Sequence, residues 1–236
     1  MPPPPRIIAH RGLHRGTACP ENSLAAMEAA WSRGIAWAEC DVRFTADRRA
    51  VVLHDPTLGR TTNGDGRIDL LSFDDLKPVR LIDAHGRPTA HKVPLLHDVL
   101  NAMPPECGVL VEIKPNAPTF PHVARVLMTR GWRCQFQSFD PDNVRTLCDG
   151  GLAAATVLLV EDVGALPDAF RLPCAAAHLR HDLIDAAVVR DLRAAGRGVG
   201  AWTVNDPDEM VRLAALGVDT LITDEPLLAA DVLRAR

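Results

Sequence analysis

Three carboxylates stand directly after short apolar runs in this sequence. Glu39 and Asp41 follow Ile35–Ala38, and Glu112 follows Val109–Val111. Residues two apart on a strand point to the same face, so Glu39 and Asp41 are expected to share one face. Three convergent carboxylates are a suitable ligand set for one hard divalent cation, Mg2+ or Ca2+. The alternative is a set of salt bridges in which Lys114 and Arg11 are the partners.

Two histidines occupy comparable positions at the ends of apolar runs. His10 ends one run and His54 ends another, and each is followed by a charged residue. Beside a carboxylate cluster, such a pair indicates a general acid and a general base, whereas either histidine alone is often structural. His14 is expected to be a loop residue without this setting. For His178 the structural interpretation is favoured.

These side chains need elements that bring them to one place, and the chain alternates short apolar runs with helix-like segments. Nine runs are strand-like: 7–10, 35–42, 51–54, 109–113, 135–139, 155–160, 175–179, 199–204 and 220–223. Helical patterns at 23–33, 121–130, 182–195 and 207–216 lie between them, and glycines 34, 131, 196 and 217 stand where helices should end. This order predicts a parallel sheet.

A (β/α)8 barrel fits the length of 236 residues and the 47% apolar content. Val51–His54 follows Asp41 too closely for a helical crossover, so Glu39–Asp41 and Val51–His54 are interpreted as arms of a hairpin. Residues 56–105 are predicted to be a small insertion over the C-terminal mouth of one domain spanning 1–236. A doubly wound open sheet is the alternative, but no Gly-rich nucleotide-binding loop follows any strand.

Composition limits the partners and the compartment. The net charge of −4 offers no electrostatic support for a nucleic-acid partner. No apolar stretch approaches the roughly 20 residues that span a bilayer, and no signal-peptide pattern follows Met1. Three of the six cysteines, Cys40, Cys134 and Cys174, lie in apolar runs and are expected to fill core space. The sequence therefore predicts a soluble, cytoplasmic protein; it is silent on the oligomeric state.

An ordered set of motifs spans nearly the whole chain. The motifs are His10-Arg11-Gly12, Pro20-Glu21-Asn22-Ser23, Glu39-x-Asp41, Leu53-His54-Asp55, the segment from Leu58 to Gly66, Glu112-Ile113-Lys114, Ser138-Phe139, Trp202-Thr203-Val204-Asn205, Gly217-Val218-Asp219 and Thr223-Asp224 with Pro226. Each is weak alone. In this order and spacing they resemble the glycerophosphodiester phosphodiesterases, in the compact form typical of cytoplasmic members.

The resemblance implies a fold, a reaction and roles for individual residues. It implies a barrel enzyme, a phosphoric diester hydrolase, that converts a small-molecule glycerophosphodiester to sn-glycerol 3-phosphate and an alcohol. Glu39, Asp41 and Glu112 would hold one divalent metal, and His10 and His54 would be the acid and base. Arg11 and Lys114 would bind phosphate oxygens, and Trp202 would form an apolar wall for the substrate. These last three are therefore the predicted substrate-binding residues.

Further roles implied by position concern the surroundings of the site. Asn22 is expected to cap the first helix, Asn205 to cap the helix that follows it, and Asp55 to orient His54. Two other functions stay open. One is a lysophospholipase D-like activity, for which Leu70, with nearby apolar residues, could admit an acyl chain. The other is a non-catalytic sensor of phosphate ligands, which is disfavoured because no acid, base or metal position is replaced.

Overall fold

The structure, a computed structural model, describes residues 3–115 and 120–234. Its strands are Arg6–Ala9 (β1), Trp37–Phe44 (β2), Ala50–Val52 (β3), Gly108–Ile113 (β4), Cys134–Ser138 (β5), Thr156–Val160 (β6), Ala176–Arg180 (β7), Gly198–Trp202 (β8) and Thr220–Thr223 (β9). Its α-helices are Leu24–Ser32 (α1), Phe73–Leu76 (α2), Leu96–Ala102 (α3), Phe120–Thr129 (α4), Pro141–Leu147 (α5), Leu166–Arg171 (α6), Ala186–Ala194 (α7), Pro207–Leu216 (α8) and Pro226–Arg234 (α9).

Eight parallel strands close into a barrel. The sheet order is β1-β9-β8-β7-β6-β5-β4-β2, and the pairing of β1 with β2 joins its two ends. Every residue of β4 and of β6 is buried, as expected for strands covered by side chains in the lumen and by helices outside. The predicted (β/α)8 barrel is confirmed, and the open-sheet alternative is wrong because that sheet would leave β1 and β2 unpaired.

The predicted hairpin exists, but its first arm lies further along the chain than predicted. β3 pairs antiparallel with Val42–Phe44 at the end of β2. Glu39–Asp41 instead pairs in parallel with Leu110–Glu112 of β4. The reason for the difference is the length of β2. Its first half pairs within the barrel, and its second half pairs with β3 in the hairpin.

Helix ends follow the sequence signals with two exceptions at the caps. Gly34, Gly131, Gly196 and Gly217 have φ between 74° and 83°, the left-handed conformation expected after a helix. The predicted caps Asn22 and Asn205 do not cap α1 and α8. The residue that follows each asparagine is the cap instead. Ser23 accepts a backbone N–H of α1, and Asp206 accepts a backbone N–H of α8. Both asparagines are thereby free to bind carboxylates of the site.

The segment between β3 and β4 divides into two parts. Residues from Leu58 to Val93 form a small apolar cluster around Leu58, Ile68 and Leu81, and this cluster also includes Val51 and Leu53. By contrast, α3 belongs to the main core, where Leu96 and Leu100 pack with the other outer helices. The helix thus lies within the predicted insertion 56–105 but packs as part of the barrel. The assignment of one domain with an insertion stays a prediction.

None of the helices in residues 3–115 and 120–234 combines the length and the hydrophobicity needed to span a bilayer. Cys40, Cys134 and Cys174 are buried in the core, as predicted.

Candidate active site

The lumen of the barrel is layered. Four apolar side chains from four strands pack together in the lower layer: Ile8, Trp37, Leu110 and Ile222. The residues two positions further along the same strands or just past their ends are polar: His10, Glu39, Glu112 and Asp224. Because strand side chains alternate between two faces, this upper layer points into the same lumen. The C-terminal mouth is where barrel enzymes place their chemistry.

The three predicted metal ligands lie together. Glu39, Asp41 and Glu112 each offer a carboxylate oxygen within 4.8 Å of the others, and all three are buried. The Glu39 Oε1 atom is buried without a hydrogen-bond partner among the described residues. An unpartnered buried carboxylate oxygen is costly, and a hard cation would satisfy it. The donor set therefore fits a divalent metal.

Protein cations neutralise this cluster only in part. Lys114 Nζ lies 2.8 Å from Asp41 Oδ1 and also contacts Glu112 Oε1. Arg11 places its Nε 3.4 Å from Asp41 Oδ2 and donates its backbone N–H to Glu39 Oε2 at 2.9 Å. Two positive charges thus face three carboxylates. The salt-bridge alternative accounts for Asp41 but leaves the Glu39 and Glu112 charges without full compensation.

The pKa directions of the carboxylates follow this imbalance. Burial, with the neighbouring Asp41, raises the pKa of Glu39 well above its usual value and that of Glu112 to about 7. For Asp41, burial acts in the same upward direction, but the charges of Lys114 and Arg11 outweigh it and lower the pKa. Without a further cation, burial therefore favours the protonated forms of Glu39 and Glu112.

His10 is held by a carboxylate at the end of β9. Its Nδ1 lies 2.7 Å from Asp224 Oδ1, and Asn205 Nδ2 donates to Asp224 Oδ2 at 2.8 Å. Although burial opposes it, the hydrogen bonds from His10 and His14 lower the pKa of Asp224, which keeps the carboxylate charged. His14 Nε2 approaches the same Asp224 oxygen at 3.4 Å. His14 lies in a loop, as predicted, but its contact with Asp224 is one that the sequence did not predict.

His54 has an equivalent partner in the adjacent residue. Its Nδ1 lies 2.6 Å from Asp55 Oδ1, the hydrogen bond through which Asp55 is expected to orient the ring. Arg60 Nε donates to Asp55 Oδ2 at 2.6 Å and lowers the pKa of Asp55 to about 2. Arg60 also binds Glu21, which accepts a hydrogen bond from Arg11 at 2.9 Å. Burial lowers the pKa of His54, which favours the neutral imidazole.

The loop after β1 is shaped by two residues in the left-handed region. Arg11 has φ 55° and Gly12 has φ 80°. A Cβ atom at Gly12 would lie 2.6 Å from the backbone carbon of Ala26, so only glycine fits. The turn directs the Arg11 backbone N–H at Glu39, and Asn22 holds the other side by donating to Asp41 at 2.7 Å. Strained backbone of this kind is typical of functional sites.

One cavity of about 240 Å3 unites these groups. Six of the eight predicted site residues line it: His10, Arg11, His54, Glu112, Lys114 and Trp202. The other two, Glu39 and Asp41, are fully buried beneath it. Trp202 forms part of the wall, and its indole N–H donates to the backbone carbonyl of His178 at 2.9 Å. His178 itself is buried below and bonds Gln137 at 3.0 Å, in keeping with a structural role.

Asp224 and Glu161 are two acidic residues of the site that had no predicted role. Asp224, which belongs to one of the motifs given above, binds His10. Glu161, which belongs to none of them, lines the cavity. Both follow the end of a strand and lie two positions after a lumen residue, Ile222 and Leu159 respectively. The rule that identified Glu39 and Glu112 would have found them.

Comparison with known proteins agrees with this geometry. Residues 10–228 match the model of the glycerophosphoryl diester phosphodiesterase family. A relative from Mycobacterium tuberculosis, named Probable glycerophosphodiester phosphodiesterase 2, is 32% identical over 97% of this chain and 90% of its own length. The glycerophosphodiester phosphodiesterase of Caldanaerobacter subterraneus is 28% identical over 97% of both chains.

A solved structure is similar as well. The phosphodiesterase of Oleispira antarctica, solved in complex with the product sn-glycerol 3-phosphate, superposes with a TM-score of 0.84. It is 26% identical, and the match covers 98% of this chain and 97% of that one.

Proposed function

Because the chain belongs to the glycerophosphoryl diester phosphodiesterase family, we propose that this glycerophosphodiester phosphodiesterase works by metal-dependent acid–base catalysis, with release of sn-glycerol 3-phosphate and an alcohol. The observation that carries this proposal is the single cavity in which two carboxylate-bound histidines face a buried carboxylate triad. The product bound to the Oleispira antarctica relative supports the substrate class.

Glu39, Asp41 and Glu112 would hold one divalent ion, Mg2+ or Ca2+. When bound, the ion supplies a positive charge that polarises a phosphoryl oxygen and stabilises the charge that develops there. Arg11 and Lys114 leave part of the negative charge of the triad uncompensated, and Glu39, Asp41 and Glu112 would hold the ion in their ionised forms.

Arg11 and Lys114 would bind and orient the phosphodiester. Both line the cavity, and both are already held by carboxylates, so their positions are set before the substrate arrives. A diester resists attack because its anionic oxygens repel the nucleophile. Fixed cations aimed at these oxygens weaken that repulsion and stabilise the transition state.

His10 and His54 would share the two proton transfers. One imidazole accepts the proton of the attacking hydroxyl, and the other donates a proton to the oxygen of the departing alcohol. The lowered pKa of His54 suits a proton acceptor, which leaves His10, held by Asp224, as the proton donor. The attacking oxygen belongs to water or to the neighbouring glycerol hydroxyl. The second route passes through a cyclic phosphate, which water then opens.

No specific observation favours the lysophospholipase D-like alternative. Leu76 is buried in the small core of the insertion, and Leu71 and Phe73 pack against it, so these three are not available to an acyl chain. Leu70 alone is widely exposed, at 73%.

The test is release of sn-glycerol 3-phosphate from glycerophosphocholine and glycerophosphoethanolamine. We expect EDTA to abolish the release and Mg2+ or Ca2+ to restore it. A second measurement, the melting temperature with and without each ion, reports binding independently of turnover; the ion that binds should raise it. In Glu39→Gln this increase should shrink. Release that persists in EDTA would contradict the metal assignment while leaving the substrate class intact.

A further inference from the structure

The active-site cavity has two chemically different sides. The first side carries the phosphate-binding cations, the histidines and Glu112, and it is built by residues after β1 and β3 and at the end of β4. The opposite side is built by residues at the ends of β5, β6 and β8: Phe139, Glu161 and Trp202. We call these three residues the aromatic corner. A diester bound by the first side would extend one of its two substituents toward this corner.

The two aromatic rings of the corner are held in place. The Phe139 and Trp202 ring centroids are 5.2 Å apart and their planes cross at 85°, an edge-to-face contact. The hydrogen bond from the Trp202 indole to the His178 carbonyl fixes the orientation of the larger ring. Phe139 remains 38% exposed at the mouth, although a phenylalanine is normally buried. The corner therefore presents preformed aromatic surface to the cavity.

Glu161 adds a negative charge to this surface. It lies two positions after Leu159, which also lines the cavity, so both side chains point to the lumen side of β6. Among the described residues, Glu161 makes no ion pair or hydrogen bond. The nearest strand end, at β7, carries Arg180, but the Arg180 guanidinium donates to Asp182 at 2.7 Å. Glu161 is thus the charged residue of the corner, and no side chain in the described part of the chain pairs with it.

We propose that the aromatic corner is the subsite for a cationic head group, an ammonium or trimethylammonium carried by the departing alcohol. The inference rests on the proposed function and names its substrate class: glycerophosphodiesters of amino alcohols. A cation in the corner would be attracted both by the aromatic rings and by the Glu161 carboxylate. The neutral glycerol half is not attracted by the Glu161 charge, and an anionic group would be repelled by it. The charge pattern therefore orients the diester, with its glycerol away from the corner.

The test compares glycerophosphocholine with glycerophosphoglycerol, which has a neutral departing alcohol. For the wild-type enzyme with its metal, we expect a higher kcat/KM for the choline substrate. Glu161→Gln should lower the ratio of the two kcat/KM values by roughly threefold to tenfold, and Phe139→Leu should act in the same direction. Asp162→Asn is the matched control, because this adjacent carboxylate does not line the cavity. It should leave the ratio unchanged. Added salt should lower the preference, since Glu161 is exposed.

Binding to the His10→Ala variant provides a readout that does not need turnover. Calorimetry should show tighter binding of glycerophosphocholine than of glycerophosphoglycerol, and Glu161→Gln in that background should remove most of the difference. Equal affinities, or a Glu161→Gln effect that is the same on both substrates, would overturn the head-group subsite. If the wild-type enzyme hydrolyses neither diester, the proposed function fails, and the binding comparison still decides whether the corner selects a cation.

Discussion

Three carboxylates of the same chemistry differ at the residue scale because their neighbours differ. Asp41 faces Lys114 and Arg11 and is held ionised, whereas Glu39 and Glu112 are buried with too little positive charge nearby. A bound divalent ion would supply the positive charge that this carboxylate cluster lacks. The two histidines show the same dependence on neighbours, since each is oriented by its own aspartate.

Removing either histidine tests the acid–base roles. We expect His10→Ala and His54→Ala each to lower kcat by about a hundredfold to ten-thousandfold, because one proton transfer loses its side chain. The melting temperature should stay close to that of the wild type. His85→Ala, a change at an exposed loop histidine, is the control and should retain full activity. Near-normal turnover in either active-site variant would refute its assignment.

Asp224 is expected to act through His10 as a positioning residue. Asp224→Asn keeps the shape but removes the charge of the carboxylate that orients the His10 ring, so kcat should fall by about tenfold to a hundredfold. The acidic or basic limb of the pH–rate profile should shift as well, which a merely structural role would not cause. An unchanged profile with unchanged kcat would show that His10 does not depend on this carboxylate.

At the element scale, the strands determine which side chains meet. The charged residues of β2 and β4 converge because the two strands are paired in register, Asp41 opposite Glu112. Lower in the lumen, a large side chain on one strand is accommodated by a small residue on the neighbouring strand. His178 on β7 is opposite Gly200 on β8, and a Cβ atom built on Gly200 would lie 2.2 Å from the imidazole. The buried histidine therefore requires glycine on the neighbouring strand.

The variant Gly200→Ala tests this packing. The added methyl group has no space, so the free energy of unfolding should fall by about 2 kcal/mol or more, measured by urea denaturation. Gly59→Ala is the matched control, because a Cβ there meets nothing within 4 Å. Its stability should remain within about 0.5 kcal/mol of the wild type. A fully stable Gly200→Ala would mean that the His178 ring moves without cost.

At the scale of the whole molecule, buried titratable groups couple stability to pH. Burial, with the charge of Arg6, lowers the pKa of His178 to about 3. In the unfolded chain a histidine titrates near its ordinary value of about 6.5. Below that pH the unfolded state binds a proton that the native state does not accept. The contribution of His178 is thus complete above about pH 6.5 and is lost as the pH falls toward 3.

This coupling predicts a difference between the wild type and His178→Gln. Between pH 7 and pH 5 the wild type should lose about 2 kcal/mol more of its free energy of unfolding than the variant. The comparison is needed because Glu112, whose raised pKa favours the native state on acidification, acts with the opposite sign. Urea denaturation at the two pH values measures both. Parallel losses in the two proteins would show that His178 is accessible to protons in the native state.

The sequence by itself determined the barrel, its strands and the positions of all eight predicted site residues. Those features depend on local signals: runs of apolar residues, glycines after helices, and charged residues that follow strands. The roles of these residues came from resemblance and stay proposals. Only the tertiary structure decided which residues distant in the chain are in contact. Asp224 lies 214 positions from His10, and Asn22 binds Asp41 instead of capping a helix. His10 meets Asp224 because β1 pairs with β9, and Asn22 meets Asp41 because β1 also pairs with β2; a local pattern predicts the strands but not these side-chain contacts.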